Sequence, residues 1–142
     1  MSTMTLQEMS QFLNRPLIAH VTSLRLDGSP HTVPVWYQYT GGHFSVFTPS
    51  RSVKVRNLRR DPRLTISIAS EDEPYRYVMA DGVAELSDVG ALEQGEVIAS
   101  RYRGDAGLAY VQSVDVTYGG VTIVSLRPTR VRAWASETII RA

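Results

Sequence analysis

The chain of 142 residues has a formal net charge of +1, so its length suits one domain with a buried core and its charge gives no overall basic field for nucleic acid. It contains no cysteine, which excludes disulfides, thiolate nucleophiles and thiolate metal sites. The N-terminal residues lack the apolar core of a signal peptide, and no apolar run reaches membrane-spanning length. We therefore expect a single cytoplasmic domain over 1–142, without membrane contact.

The first predicted element is a helix from Thr5 to Asn14. Apolar residues recur there at helical spacing, and Thr5 and Glu8 stand at the spacing of a capping box. The helix ends before Pro16, because a proline disfavours helical geometry in the residue that precedes it.

A β-hairpin follows the helix. Its first strand covers 17–26, and Asp27-Gly28 is a strong hairpin turn. The return strand runs from His31 to Tyr39 and is interrupted by Pro34. Because proline cannot donate a hydrogen bond to the sheet, it indicates an edge strand, a bulge or a place where the ladder opens.

The third predicted strand leads directly into a short helix. The strand covers 44–48 and stops at Pro49. Ser50 and Ser52 can each cap a helix that begins near Val53. The Asp61-Pro62 pair closes that helix.

Positive charge is concentrated around this turn and helix, although the chain as a whole is nearly neutral. Six cations fall within thirteen positions: Arg51, Lys54, Arg56, Arg59, Arg60 and Arg63. Lys54 is the only lysine of the chain. Free backbone N–H groups, the positive end of the helix dipole and a nearby ammonium together predict a phosphate site. The alternative is a basic helix face that is simply solvated.

The rest of the chain predicts more strands than helices. In order, it contains strands over 64–69 and 75–86, a helix over 88–102, an ambiguous stretch over 103–115, and strands over 121–126 and 130–134. Gly82 marks a bulge or bend in the long strand. Short links between strands require antiparallel pairing, and six or seven strands in a small domain favour a barrel. The fold class is therefore mainly β, a β-barrel with α-helices.

No side chain is assigned a catalytic role from spacing alone. The three histidines lack metal-ligand spacing, so no metal site is predicted, and no nucleophile elbow or Walker loop occurs. Aromatic residues cluster on two strands, at Trp36 and Tyr37 and again at Tyr75 and Tyr77. Such residues usually belong to a core or an interface, but here they could also wall a slot for a flat ring.

Three segments together resemble a known family. DGSPHTVPVWYQY, TPSRSVKVRNLRRDPR and YRYVMADGVAEL are similar to the pyridoxamine 5'-phosphate oxidase-like split β-barrel family. Within it, the chain most resembles the F420-dependent flavin/deazaflavin oxidoreductases of the B type. The resemblance implies a six-stranded antiparallel split β-barrel of the FMN-binding kind. It also implies a homodimer with two cofactor sites in grooves between the subunits.

The resemblance assigns cofactor-binding residues by position. The phosphate-binding turn corresponds to Thr48, Ser50, Ser52 and Lys54, with Asn57 on the same helix. The segment whose backbone lines the flat ring corresponds to Pro34, Val35 and Trp36. The strand that approaches the cofactor from the neighbouring subunit corresponds to Tyr77, Met79 and Ala80. An anionic tail such as the polyglutamate of F420 would suit Arg51, Arg56 and Arg59.

The implied function is an F420-dependent oxidoreductase that transfers a hydride to an electron-poor small-molecule acceptor. The proton would come from solvent, or from Tyr77 or His31. Two alternatives stay open: an FMN-binding oxidoreductase of the same family, and an F420 carrier without turnover. A nucleic-acid-binding role is disfavoured, because the positive charge is local.

Overall fold

The computed structural model describes residues 2–136. The strands are β1 (Ser2–Thr3), β2 (Ala19–Leu24), β3 (Pro30–Val35), β4 (Gln38–Thr40), β5 (His43–Pro49), β6 (Arg63–Ala69), β7 (Arg76–Ser87) and β8 (Val121–Ala135). The helices are α1 (Leu6–Leu13), α2 (Val53–Arg60) and α3 (Ala91–Thr117).

The strands form one antiparallel sheet that curls back on itself. Their order is β3-β2-β6-β7-β8-β5-β4, and β1 pairs with β8. Strands β3 and β4 stand at opposite ends of this order, yet only Trp36 and Tyr37 separate them in the chain. Three residue steps of extended chain span at most about 10 Å, so the two ends of the sheet must come together. The predicted antiparallel split barrel is confirmed.

The strand count exceeds the six that the resemblance implies and falls within the six or seven predicted from the chain. The described residues contain seven strands along the sheet and the two-residue β1. The predicted return strand of 31–39 is divided at Trp36 and Tyr37, and the last two predicted strands are one. Of the three alternatives for Pro34, the edge strand is confirmed, because β3 stands at the end of the sheet. Pro34 stays in register opposite His20, so the pairing with β2 has neither a bulge nor an opening there. Strand β3 is hydrogen-bonded only to β2, so a residue without an N–H group can occupy its open side.

Strand β8 is continuous, whereas the sequence predicted two strands around an Arg127-Pro128-Thr129 break. It pairs with β7, with a register shift that places Asp81 opposite Arg130 and Gly82 opposite Pro128. Thr129 is therefore the extra residue of a bulge. The irregularity predicted at Gly82 is confirmed in position, but the extra residue belongs to β8. A Cβ atom on Gly82 would lie 2.9 Å from the Arg127 carbonyl oxygen.

The first two helices follow their sequence signals. Thr5 caps α1 in a capping box with Glu8, as predicted. Helix α2 ends at Arg60, before Asp61-Pro62. Its cap is Ser52, whose hydroxyl accepts a hydrogen bond from the Val55 N–H at 3.3 Å.

Helix α3 corrects the sequence prediction, because helical structure continues through the stretch regarded as ambiguous. The chain breaks direction at Gly104, whose φ of 54° is outside the helical region, and forms a hairpin of two helical arms. The arms pack closely, since a Cβ atom on Gly107 would lie 2.6 Å from the Ala99 carbonyl carbon. Two glycines in one short segment weakened the helical signal.

The buried side chains form two clusters on opposite faces of the sheet. One fills the barrel and includes Phe12, Tyr37 and Phe44. The other lies between α3 and the sheet and includes Ile98 and Val111. Trp36 and Phe47 pack against this second cluster. The two residues that separate β3 from β4 therefore pack into different clusters. Tyr37 lies inside the barrel, and Trp36 packs against the α3 hairpin.

Candidate functional site

The turn between β5 and α2 presents backbone N–H groups at a helix N-terminus. The Ser52 hydroxyl accepts from the Val55 N–H, and the Ser52 carbonyl accepts from the Arg56 N–H at 3.2 Å. The N–H groups of Val53 and Lys54 lie too close to the start of the helix to reach a carbonyl acceptor within it. They are therefore oriented to bind an anion at the positive end of the helix dipole.

Lys54 places an uncompensated positive charge beside this helix end. Its side chain is half-buried, and this burial lowers the pKa of its amine. Within residues 2–136, the ion pairs are those of Arg15 and Arg76 with Asp72, Arg63 with Asp61, and Arg130 with Asp81, so no carboxylate pairs with Lys54. A partly desolvated ammonium without a counter-charge fits an anionic group of a ligand.

His31 lies close enough to Lys54 to interact with it. Burial lowers the pKa of the His31 imidazole, and the charges of Arg25 and Lys54 lower it further. The imidazole is therefore neutral near pH 7, so Lys54 carries the positive charge of this pair.

Lys54 lines a cavity of about 340 Å³, which is within the size range of small-molecule sites. The cavity unites five of the residues assigned from the resemblance: Pro34, Val35, Trp36, Thr48 and Lys54. Strand β3 supplies Pro34 and Val35, and Trp36 follows it directly. Thr48 comes from β5, and Lys54 comes from α2. The Thr48 hydroxyl donates to the Ser52 hydroxyl at 3.0 Å and so joins the end of β5 to the helix cap.

Four further residues line the same cavity and were not assigned from the sequence: Phe47, Pro49, Tyr110 and Val114. Phe47 and Pro49 flank the assigned Thr48 in the sequence, but strand alternation places them on the other face, so the pattern gave no signal for them. Tyr110 and Val114 belong to the second arm of α3. Sequence reasoning missed them because their position depends on the fold-back at Gly104.

Trp36 is held in a defined orientation at this cavity. Its ring stacks on Tyr102, with centroids 5.1 Å apart and planes 11° from parallel. The Tyr102 hydroxyl donates to the Leu17 carbonyl at 2.7 Å and accepts from the Tyr37 N–H at 3.1 Å. These bonds hold Tyr102 against Leu17 and against Tyr37, which lies between β3 and β4. Tyr102 in turn holds the Trp36 ring by stacking on it.

A second cavity of about 500 Å³ adjoins the first, because Pro49 lines both. It contains two more of the assigned residues, Arg51 and Ser52, with Val116, Thr117, Tyr118 and Gly119 from the end of α3 and the turn after it. Gly119 has a φ of 72°, and a Cβ atom there would lie 3.5 Å from the Arg51 guanidinium carbon. The glycine turn thus lies directly against Arg51.

The side chains of Ser50 and Asn57 are bonded within the chain. The hydroxyls of Ser50 and Thr122 are 2.8 Å apart, and the Thr122 hydroxyl donates to Asp88 at 2.6 Å. Asn57 is buried, and its amide donates to the Ser23 hydroxyl at 3.1 Å. These contacts attach the turn to β8 and α2 to β2, and a cofactor contact by either residue stays a prediction.

The three assigned residues of β7 lie elsewhere in this chain. Ala80 belongs to the barrel core, and Met79 is exposed on the other face of the strand. Tyr77 lies opposite Trp134 in the sheet. None of the three lines either cavity within residues 2–136. Their predicted role requires a second copy of the chain.

A larger cavity, of about 540 Å³, lies over β2, β6 and β7. Its one carboxylate, Asp81, accepts from Thr65 at 2.7 Å and pairs with Arg130 at 2.9 Å, and the Thr65 hydrogen bond holds the pKa of Asp81 low. This charge is neutralised within the chain, so size alone does not make this cavity the better candidate.

Neither a metal centre nor a membrane span is visible in the part of the chain that the structure describes. Over 2–136, no three His, Cys, Asp or Glu side chains converge as metal ligands. Across the same residues, no helix combines the length and apolarity that crossing a membrane requires.

The family model described as pyridoxamine 5'-phosphate oxidase matches residues 5–135. The chain therefore belongs to the pyridoxamine 5'-phosphate oxidase-like split-barrel family, as its motifs predicted.

Solved structures agree with this assignment. A conserved hypothetical protein from Mycobacterium tuberculosis is 27% identical with a TM-score of 0.78, over 98% of this chain and 93% of that one. An F420 reductase is 23% identical with a TM-score of 0.63, over 86% and 94%. An FAD and heme binding protein from Mycobacterium smegmatis is 16% identical with a TM-score of 0.74, over 96% and 73%. The last two likenesses concern the fold.

Proposed function

We propose that the protein is an F420-dependent oxidoreductase that passes a hydride to an electron-poor small-molecule acceptor. The observation that carries this proposal is Lys54, a half-buried ammonium without a carboxylate partner among the described residues, beside a helix N-terminus and an aromatic cavity. A cofactor with a phosphate at one end and a flat ring at the other matches both features. The family and its F420 reductase relative support the same class.

The residues of the cavity fit such a cofactor. The N–H groups of Val53 and Lys54, with the Lys54 ammonium, would hold the phosphate. The segment from Pro34 to Trp36 would lie along the ring. When bound, reduced F420 supplies the hydride, two electrons with one proton, and a proton from solvent completes reduction of the acceptor.

The protein's own contribution is binding, orientation and exclusion of water. The cavity is lined mainly by apolar and aromatic side chains, and Lys54 is its one charged group. Because Tyr102 fixes the Trp36 ring, this wall is pre-organised before a ligand enters. A fixed, poorly hydrated site strengthens the attraction between Lys54 and an anion. No side-chain acid is required for the reaction.

The second cavity favours F420 over FMN. F420 has an anionic tail in addition to its phosphate, and FMN has no such tail. Arg51 lines the second cavity, which shares Pro49 with the first, so a tail could continue there from the phosphate. Arg56 and Arg59 are exposed on α2 and add positive charge, and Arg56 also donates to the Arg51 carbonyl at 2.9 Å.

The decisive experiment is parallel titration of the apo protein with F420 and FMN. Lys54→Ala should weaken F420 binding by about 1.5–3 kcal/mol, the range for hydrogen bonds to charged groups, because it removes the phosphate's cation. Arg51→Ala should weaken F420 binding while leaving FMN affinity unchanged, because only F420 would reach the second cavity. Arg103→Ala, at an exposed residue of α3 outside both cavities, is the matched control. Unchanged F420 affinity in Lys54→Ala would remove Lys54 from the site.

The same titration separates the alternatives. Tighter binding of FMN, with a yellow protein that releases flavin on denaturation, would support an FMN-dependent oxidoreductase. Tight F420 binding without hydride transfer in a broad acceptor screen would support a carrier. We favour an enzyme, because Tyr110 lines the cavity and is 52% exposed, which leaves an entrance for an acceptor.

A further inference from the structure

We propose that Asp88 is a positioning residue for the turn between β5 and α2. Acting through Thr122, it orients the Ser50 hydroxyl so that Ser50 accepts a hydrogen bond from the ligand and does not donate one. The ligand group that Ser50 selects is then a hydroxyl beside the phosphate, as in the phosphate ester of a sugar alcohol. This inference rests on the proposed function for the phosphate at the turn. It holds for F420 and FMN alike, because each carries its phosphate on a polyol chain.

Ser50, Thr122 and Asp88 form a chain of two short polar contacts. The Thr122 hydroxyl oxygen is 2.6 Å from a carboxylate oxygen of Asp88 and 2.8 Å from the Ser50 hydroxyl oxygen. A hydroxyl has one hydrogen, whereas a carboxylate only accepts. The shorter contact, with the charged group, therefore takes the Thr122 hydrogen. The contact between the two hydroxyls is then a hydrogen bond only if Ser50 donates its own hydrogen to Thr122.

The surroundings of Thr122 keep this direction fixed. Thr122 is 0% exposed, so water does not compete for its hydroxyl. Its backbone is held in the sheet, where it lies opposite Thr48 of β5. The turn is attached at the same place, because the Ser50 N–H donates to the Gly120 carbonyl at 3.0 Å. The two hydroxyls are therefore held in contact before a ligand binds.

The Ser50 oxygen has an open side beside the second cavity. A Cβ atom on Gly120 would lie 3.0 Å from this oxygen, so the glycine leaves that side uncovered. Ser50 is half-buried, and its neighbours Pro49 and Arg51 line the second cavity, while Pro49 also lines the first. With its hydrogen bonded to Thr122, Ser50 presents only lone pairs here. Lone pairs repel the oxygens of a phosphate and attract an O–H donor.

Ser52 has the opposite polarity. Its hydroxyl oxygen accepts from the Thr48 hydroxyl at 3.0 Å and from the Val55 N–H at 3.3 Å, which uses both of its lone pairs. Its hydrogen is therefore what it can offer to a ligand. We assign the phosphate to Ser52 and the helix N–H groups, and the adjoining hydroxyl of the ligand to Ser50.

Two phosphates with chains of equal length distinguish these roles. Ribitol 5-phosphate and pentyl phosphate carry the same charge, but only the first has hydroxyls. Their affinities for the apo protein would be measured by NMR titration, with the amides of Val53 and Lys54 reporting binding at the turn. The parent protein should prefer ribitol 5-phosphate about three- to tenfold, the effect of one hydrogen bond.

Two variants free the Ser50 hydrogen by different routes. Thr122→Val removes its acceptor and keeps the charge of Asp88, whereas Asp88→Ala leaves Thr122 free to donate to Ser50. Each should tighten binding of pentyl phosphate about three- to tenfold, because Ser50 can then donate to the phosphate. Each should also reduce the preference for ribitol 5-phosphate. Circular dichroism and urea unfolding would verify that both variants fold.

Ser50→Ala should abolish the preference between the two phosphates. In that background, Asp88→Ala should change affinity no more than Asp115→Asn does. Asp115→Asn is the matched control for loss of a nearby negative charge, because the Asp115 carbonyl accepts from the Gly120 N–H at 2.9 Å and so lies close to the same turn.

Neutron diffraction from crystals of the apo protein would locate the exchanged hydroxyl hydrogens without any ligand. We expect the Ser50 deuterium to point at Thr122. A deuterium directed away from Thr122 would overturn the inference, as would an unchanged pentyl phosphate affinity in Thr122→Val. Failure of both phosphates to shift the amides of Val53 and Lys54 would instead overturn the phosphate at this turn and with it the proposed function, while the neutron structure would still decide the role of Asp88.

Discussion

At the scale of single residues, Lys54 combines a local sequence signal with a local structural one. It is the only lysine, and it follows a strand that ends at proline and a serine that caps a helix. All of these signals lie within a few residues of one another. The turn from strand to helix and its serine cap could therefore be predicted from the sequence, because neighbouring residues determine them.

Lys54 should give ligand binding a characteristic pH dependence. Burial lowers the pKa of its amine below the ordinary 10.5, and only the protonated amine attracts phosphate. Cofactor affinity should therefore fall as the pH rises through this lowered pKa. Lys54→Arg should keep its affinity over the same range, because a guanidinium stays charged. Titrations from neutral pH to 10.5 would measure both curves, and parallel curves would contradict the assignment.

The same group affects stability in the opposite direction. Between the lowered pKa and the ordinary value, the unfolded chain binds the proton more tightly than the folded protein does. The free energy of unfolding of the apo protein should therefore rise with pH across this window. Urea unfolding of the parent and of Lys54→Met, which removes the titration, would test the sign. A difference in stability that does not vary with pH would contradict it.

Asn57 should be important for stability. Its amide donates to Ser23 at 3.1 Å and its carbonyl oxygen accepts from Arg60 at 3.1 Å, within a buried contact between α2 and β2. Asn57→Ala should cost about 1–3 kcal/mol, because it leaves the Ser23 hydroxyl buried without its partner. Ser23→Ala and the double variant complete a cycle measured by urea unfolding. Strictly additive losses would show that the two residues do not interact.

At the scale of elements, the hairpin of α3 marks the limit of sequence reasoning. The first arm was predicted from its partial helical periodicity, whereas the second was ambiguous because Gly104 and Gly107 weaken the helical pattern. Gly107 is required by close contact between the arms, which no local pattern encodes. Tyr110 was missed for the same reason, since it reaches the cavity only after the second arm has folded back.

Gly107→Ala should destabilise this hairpin. The new methyl carbon would lie 2.6 Å from the carbonyl carbon of Ala99, and backbone cannot move aside easily. We expect a loss of roughly 1–3 kcal/mol, despite the better helix propensity of alanine. Gly95→Ala is the comparison, because its methyl group would meet a side-chain carbon of Val111 at 3.0 Å rather than backbone, and it should cost less. Equal stabilities in urea unfolding would show that the arms are not tightly packed.

At the scale of the whole molecule, antiparallel pairing and the barrel could be predicted, because short hairpins leave few alternatives. The point at which the predicted strand of 31–39 divides into β3 and β4 could not be predicted. Pro34 gave the stronger local signal, but the chain divides at Trp36 and Tyr37, where it must cross from one end of the sheet to the other. That requirement arises from closure of the barrel and is invisible to local patterns.

We expect a homodimer in solution, with β7 at the interface. Met79 is 40% exposed on the outer face of this strand, and Val83 is exposed on the same face. Met79→Asp should shift sedimentation equilibrium towards monomer and weaken cofactor binding, because it places a charge in an apolar contact. Val89→Asp, at a residue 92% exposed just before α3, should leave the dimer intact. A parent protein that sediments as a monomer at micromolar concentration would contradict the shared site.

The passage from β3 to β4 joins the two ends of the curled sheet and at the same time contributes Trp36 to the cavity. A ligand bound against Trp36 would therefore stabilise the place where the two ends of the curled sheet meet. Amide hydrogen exchange should slow together in both flanking strands when the cavity fills, although the two strands share no hydrogen bonds with each other. Ligand binding in a small cavity would thus reduce the flexibility of the strands at both ends of the curled sheet.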